Sequence, residues 1–220
     1  MSNLGFNSLL AALLSLVVLA HQGVEHEAKE SIFSTEYSCE PRPGGLLTKD
    51  LEVLGFVIGS STIRDVQKRF LGTDPVRLTD GEEADKGICL KNSEGMAVIF
   101  VTGVMGAPDT IVAIYLAPAG LVESSWLKCK SVQLPSKIFA TSSGIRVGAA
   151  AAEVAKTVRW KLPSDGQFCA AYRIVSSQGP LQISKGETAK KDDFTDFTGA
   201  EGRTRNGKLE WVKLFGIASN

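Results

Sequence analysis

The sequence predicts an α+β protein of two tandem helix-on-antiparallel-sheet repeats, each ordered as strand, helix and three strands, in two layers. The first observation is the stretch from Leu54 to Pro75, where an apolar run reaches Gly59, a short amphipathic helix follows, and a proline closes the unit. A similar stretch runs from Gly144 to Pro163. Short apolar runs separated by turn residues follow both stretches, as expected for antiparallel meanders.

The N-terminal residues predict export. The first twenty residues carry no charged side chain, and residues 9–20 are almost wholly apolar. This pattern is typical of a secretory signal peptide over residues 1–20, cleaved after Ala20. The apolar run is shorter than the roughly 20 residues that cross a bilayer, so we expect no stable membrane span. The expected location is therefore secreted or periplasmic.

Composition limits the partners of the chain. The 24 acidic and 24 basic side chains balance, so no basic excess favours nucleic acid as a partner. Residues 21–43 are polar without apolar periodicity, and we interpret them as a flexible lead-in. The oligomeric state cannot be inferred from these features.

The first repeat is predicted over residues 44–122. Its opening strand ends near Ile58, and a hydroxyl side chain among residues 60–62 can cap the helix that follows. The helix is predicted to end at Gly72, a suitable left-handed cap. Its apolar side chains form one stripe, made of Ile63, Val66, Phe70 and Leu71. Three strands are then predicted at residues 87–90, 96–101 and 110–116.

The second repeat is predicted over residues 123–220. Aligning Val66 with Val154 and Pro75 with Pro163 preserves the apolar stripe of the helix. The strand candidates are residues 126–132, 138–147, 168–175, 181–184 and 209–217. Between the last two, residues 185–207 carry many charges, and we interpret them as a loop insertion.

This order of a strand, a glycine, a small or hydroxyl residue, a short helix ending near Gly-x-x-Pro, and a meander resembles the repeat unit of the beta-lactamase inhibitor proteins. It is also similar to the unit of the small outer-membrane lipoproteins called SmpA/OmlA. The resemblance covers residues 46–220. The chain departs from both families, because it lacks a lipid-accepting cysteine after its signal and its cysteines are farther apart than hairpin-closing pairs. No functional residue of either family has a counterpart here.

Four cysteines, an even number in a chain expected to be exported, predict two structural disulfides among Cys39, Cys89, Cys129 and Cys169. Three connectivities are possible. The favoured one joins Cys39 to Cys89 and Cys129 to Cys169, which gives one bridge per repeat.

Sequence motifs give little support to catalysis or to cofactor and metal binding. Both histidines, His21 and His26, lie in the polar lead-in, so the folded body has no histidine base. No phosphate-binding glycine motif occurs, and the cysteines lack a C-x-x-C pair. Four acidic residues could attract calcium, but a solvated loop explains them better: Asp192, Asp193, Asp196 and Glu201. We therefore predict no catalytic, cofactor or metal residues.

The favoured function is a non-catalytic protein-binding module of the cell envelope or secreted space, with inhibition of a partner enzyme as one form. Phe194 and Phe197, three residues apart in the charged insertion, are the candidate anchors for a protein partner. They could instead fold back to cover the sheet edge. The alternatives are a structural envelope-assembly protein and a secreted hydrolase that uses carboxylates, for which the candidates are Glu153, Asp165 and Asp193.

Overall fold

The structure is a computed structural model, and it describes residues 32–33, 40–78, 85–103, 109–123, 127–175 and 195–218. The predicted signal peptide, Cys39, both histidines, the strand candidate at 181–184 and Phe194 lie outside these residues. Among the described residues, no helix combines the length and apolar character needed to cross a bilayer.

Short helices and a large sheet make up the described chain. The helices are α1 (Ile63–Arg69), α2 (Ala119–Val122) and α3 (Ala151–Thr157), with single 3-10 turns at Thr48–Asp50 and Ser136–Ile138. The strands are β1 (Arg42–Pro43), β2 (Glu52–Val53), β3 (Phe56–Val57), β4 (Val76–Arg77), β5 (Lys86–Lys91), β6 (Met96–Thr102), β7 (Ile111–Pro118), β8 (Lys130–Ser131), β9 (Gly166–Val175), β10 (Thr195–Arg205) and β11 (Lys208–Ala218).

One nine-stranded sheet joins the two meanders. Its order is β1-β9-β10-β11-β7-β6-β5-β4, and β8 pairs with β5 beyond this path. The first meander, β5-β6-β7, and the second, β9-β10-β11, meet where β11 pairs antiparallel with β7. At both sheet edges the pairing is limited to two-residue strands, a device that limits pairing with another chain. The separate β2-β3 hairpin turns at Leu54 and Gly55, which both have positive φ.

We call the sheet face that packs against α1 and α3 the inner face. Val66 of α1 and Val154 of α3 are buried there, together with Phe100, Leu116 and Leu214 of the sheet. The stripe predicted for α1 is therefore partly confirmed: Ile63 and Val66 are buried and Phe70 packs at the margin, whereas Leu71 is 77% exposed. Leu71 is exposed because α1 ends at Arg69, before the predicted helix end.

The opposite face, which we call the outer face, is also buried over the first meander. Ile99, Val101 and Tyr115 pack there against Leu127 and α2. Ile32 belongs to the same cluster. A plain two-layer arrangement does not predict this second apolar cluster.

The three strands predicted for the first repeat, and those at 168–175 and 209–217, are confirmed within a few residues. The predicted strand at 138–147 is wrong, because these residues form a tight turn. Thr141 N donates a hydrogen bond to Ile145 O, and Ile145 N donates one to Thr141 Oγ1, each at 2.9 Å. Among the described residues of the strand predicted at 126–132, only Lys130–Ser131 pairs in the sheet.

The predicted loop insertion at 185–207 is wrong for its second half, since residues 195–205 form the central strand of the second meander. Small or polar side chains here alternate between faces: Thr198, Ala200 and Thr204 are buried on the inner face. Gly199 and Gly202 are required because a Cβ at either would approach a neighbouring aromatic ring and backbone oxygen too closely. Residues 185–194 lie outside the described residues.

Helices α1 and α3 are attached to the sheet by matching hydrogen bonds. Both helices have seven residues and begin beside the first residues of β7 and β11, respectively. The matching bonds are, for α1, Gly59 N to Ile111 O, Ile111 N to Ser61 O and Ile63 N to Asp109 O, and for α3, Gly148 N to Leu209 O, Leu209 N to Ala149 O and Ala151 N to Gly207 O.

The predicted hydroxyl cap of α1 is confirmed at Thr62. Its side chain accepts a hydrogen bond from Asp65 N, and Asp65 Oδ2 accepts one from Thr62 N at 3.0 Å, which completes a capping box. The hydrogen bonds from Thr62 lower the pKa of Asp65. Ala150 at the start of α3 has no such side-chain bond.

Replacing Thr62 by Ala removes this cap and should lower the free energy of unfolding by about 1 kcal/mol. Urea denaturation of the oxidised protein measures the change. Ser60→Ala, at an exposed neighbouring hydroxyl, serves as the control and should change stability little. Equal losses for the two variants would contradict the assignment of the cap to Thr62.

Candidate functional site

The structure places Phe197 in β10 on the outer face rather than on a mobile loop. It is partly buried and lies directly opposite Arg173 of β9 and Ile217 of β11. A strand at this position is held by hydrogen bonds on both sides, so the orientation of the ring is set by the sheet. Phe194, the other candidate anchor, lies outside the described residues.

A second aromatic ring lies on the same face two residues along. Phe215 of β11 faces Gly199 of β10, and a Cβ placed on Gly199 would come within 2.3 Å of the Phe215 ring. The ring therefore lies over the glycine backbone. We call Arg173, Phe197 and Phe215 the Phe197 patch. Arg173 is exposed and both rings are partly exposed, which gives this patch the aromatic and arginine character common in protein interfaces.

Polar side chains lie beside this patch at the junction of the two meanders. Lys213 of β11 faces Glu201 of β10 on one side and Tyr115 of β7 on the other. Lys213 Nζ lies 2.7 Å from Glu201 Oε1, and the carboxylate side chain is only 7% exposed. The same ammonium lies 5.7 Å from the centre of the Tyr115 ring and 5.9 Å from that of Phe215. Phe33 packs edge-on against Tyr115, with the ring centres 5.2 Å apart.

In this cluster, burial and the neighbouring groups shift the pKa values of Tyr115 and Lys213 in opposite directions. Burial raises the pKa of Tyr115, although the Lys213 ammonium opposes this shift. Burial by itself would lower the pKa of Lys213, but Tyr115 and Glu201 outweigh it and the pKa of Lys213 is raised. Burial likewise raises the pKa of Asp85, which is also close enough to feel the Lys213 charge. A protonated lysine with a raised pKa is a poor nucleophile or base, so this cluster is suited to holding the strands together.

Lys213, Glu201 and Tyr115 belong to a row of residues that crosses the outer face from strand to strand, and a disulfide-bonded cysteine lies at each end of this row. Reading across the outer face, the register runs through Cys169, Glu201, Lys213, Tyr115, Ile99 and Cys89. Cys89 is bonded to Cys129, with their Cα atoms 4.5 Å apart. Cys169 is also disulfide-bonded, and its partner lies outside the described residues.

The predicted pairing of Cys39 with Cys89 and of Cys129 with Cys169 is wrong. Lys130 of β8 pairs in parallel with Leu90 of β5, which brings the neighbouring Cys129 and Cys89 together. A segment predicted to belong to the second repeat therefore pairs with a strand predicted to belong to the first. The sequence carries no signal for this, because a two-residue strand has no recognisable pattern.

The carboxylates proposed for the hydrolase alternative are not gathered into a site by the described residues. Glu153 lies on the exposed side of α3, and Asp165 lies in an exposed turn. Asp193 lies outside the described residues, as does Asp192 of the acidic group considered for calcium. Glu201 of that group is paired with Lys213. Within the part of the chain that the structure describes, no three acidic, histidine or cysteine side chains form a metal-binding group.

An open pocket of about 540 Å³ lies at the start of β6, and none of the described residues that line it was predicted as a site residue. The side chains around it are Glu94, Met96, Ser136, Lys137, Phe139, Arg146 and Val147. Sequence reasoning missed this pocket, since its residues come from three separate segments and share no motif.

Comparisons with known proteins give no assignment, because no family model, curated protein or solved structure matches the chain.

The pair of Lys213 and Glu201 can be tested by removing one charge and then both. Lys213→Met leaves the buried Glu201 carboxylate without a counterion, and it should cost about 3 kcal/mol of unfolding free energy. Adding Glu201→Leu should recover most of this loss, because the uncompensated charge is then gone. Chemical denaturation of the three proteins measures the effect, and a double variant less stable than Lys213→Met would contradict it.

The raised pKa values predict a loss of stability in alkaline solution. Tyr115 and Lys213 both bind their protons more tightly in the folded chain than in the unfolded chain. Their contribution is therefore fully present below about pH 10 and is lost as the pH rises through the folded pKa values. Urea unfolding between about pH 8 and pH 11 should show this fall, less steeply for Tyr115→Phe. If the free energy of unfolding falls with pH equally steeply in the unchanged protein and in Tyr115→Phe, the assignment of this effect to Tyr115 is wrong.

Proposed function

We propose that the chain is an exported, non-catalytic protein-binding module that contacts its partner through the Phe197 patch. The carrying observation is that Phe197, partly exposed on the central strand β10, lies directly opposite the exposed Arg173 of β9. Aromatic rings and arginines are the side chains that most often dominate binding energy at interfaces. Inhibition of a partner enzyme is one form that this binding can take.

The rigidity of the patch supports the proposal. Phe197 is paired on both sides in the sheet, and Phe215 rests on Gly199, so neither ring has to be ordered at the moment of binding. A surface arranged in advance loses less conformational entropy on association. A partner with an acidic group near an apolar side chain would complement the Arg173 charge and the two rings.

Export is supported by the disulfide chemistry. The Cys89–Cys129 bond closes a loop with a sequence separation of 40 residues. Such bonds persist in oxidising compartments and are rare in reducing ones. On the chain-entropy model, a disulfide that closes a loop of this size contributes about 4 kcal/mol to the free energy of unfolding. Together with the signal-like N-terminus, this favours a secreted or periplasmic location.

We also propose that the body of the protein consists of two copies of one unit, related by an approximate twofold axis. The matching bonds of α1 and α3 support this proposal. So does the edge pairing, because β1 runs parallel to β9 in the second meander and β8 runs parallel to β5 in the first. The axis would pass between Tyr115 and Lys213. The row across the outer face ends at a disulfide-bonded cysteine on each side of this axis.

Affinity capture tests the binding function. The oxidised protein without residues 1–20, immobilised and exposed to the extracellular or periplasmic fraction of its source, should retain a partner at near-equal stoichiometry. Phe197→Ala with Arg173→Ala should abolish capture, because truncating an interface anchor costs more than about 1 kcal/mol. The melting temperature should change little.

Leu71→Ala is the matched control, since Leu71 is a large exposed apolar side chain outside the patch. Its capture should equal that of the unchanged protein. If the Phe197 variant retains its partner while its melting temperature falls sharply, the ring serves the sheet alone and the proposed interface is rejected.

A further inference from the structure

We propose that the pocket at the start of β6 is a binding site for a small organic carboxylate with a compact apolar body. Its 540 Å³ falls within the range of sites that accept small molecules. This inference does not depend on the Phe197 patch, since the two share no residue.

The lining combines an apolar part with a basic rim. Met96 and Val147 are partly buried beside the core and offer an apolar surface at the pocket. Phe139, which also lines the pocket, is 1% exposed and belongs to the core itself. Lys137 and Arg146 are exposed at its margin. A ligand with an apolar body and one negative charge would match both parts.

The charges of the pocket are available to a ligand. Among the described residues, neither Lys137 nor Arg146 forms an ion pair, so both can pair with an anion. Glu94 is the one acidic side chain among the described residues of the lining, and its Oε1 accepts a hydrogen bond from Ser136 N at 3.3 Å. The lining therefore has one more positive than negative charge, which favours an anion over a cation.

A hydroxyl donor completes the site. Ser136 Oγ accepts a hydrogen bond from Asn92 Nδ2 at 2.7 Å, which leaves the hydroxyl hydrogen free to be donated. Asn92 is only 4% exposed, and its Oδ1 accepts hydrogen bonds from Glu94 N at 3.1 Å and Met96 N at 2.9 Å. The buried amide thus holds Ser136 in place at the pocket. The two cations and the hydroxyl can therefore donate hydrogen bonds to a carboxylate, and those from the cations are charge-assisted.

Titration of the full oxidised chain with 3-phenylpropionate, followed by amide chemical shifts in two-dimensional NMR, tests the site. We expect saturable shifts confined to the residues of the lining, with a dissociation constant below about 1 mM. The neutral analogue 3-phenylpropan-1-ol should bind about tenfold more weakly, because it lacks the charge that Lys137 and Arg146 recognise.

Arg146→Gln should weaken binding of 3-phenylpropionate by about tenfold and leave binding of the alcohol unchanged. Lys156→Gln, which removes an exposed cation of α3 outside the pocket, is the matched control and should have no effect. The proposal is overturned if 3-phenylpropionate produces no saturable shifts at about 10 mM. It is equally overturned by equal affinities for acid and alcohol, or by equal effects of the two variants.

Discussion

The antiparallel pairing of β7 with β11 is the contact on which the architecture depends. Four residue pairs, from Leu116 with Val212 to Ala113 with Phe215, join two three-stranded meanders into one sheet. Without this pairing, β7 and β11 would each be an unpaired edge strand, and the buried face of each meander would lose its contact with the adjoining strand. The same pairing places the partly buried Lys213 against Tyr115, so an ion pair of the outer face lies at the junction of the two meanders.

The charges at the junction are tolerated because each has a partner. Glu201 is almost fully buried, and an unpaired carboxylate there would be costly, but Lys213 lies within hydrogen-bonding distance. The ammonium in turn lies near two aromatic rings, which favour a cation over their faces. This arrangement ties β7, β10 and β11 together on the face opposite α1 and α3.

The outer face has a covered part over the first meander and an exposed part over β10 and β11. Over the first meander, the segment around α2 and Leu127 buries Ile99 and Tyr115, and the Cys89–Cys129 bond holds it there. Over β10 and β11, Phe197, Phe215 and Arg173 keep part of their surface exposed. Because Phe197 is in a strand, a partner would meet a preformed surface, and the entropic cost of ordering a loop would not arise.

The sequence by itself determined the elements whose signals are local: a hydroxyl cap of α1 among residues 60–62, the buried Ile63 and Val66 of its apolar stripe, and the strands with a continuous apolar run, such as β6 and β7. Only the tertiary structure decided the rest. Residues 195–205 have a loop-like composition, yet neighbouring strands satisfy their backbone and Lys213 neutralises Glu201. The disulfide partner of Cys89 followed from β8, two residues whose pairing with β5 is a long-range contact. The pocket required three distant segments to meet, and local sequence cannot encode such a juxtaposition.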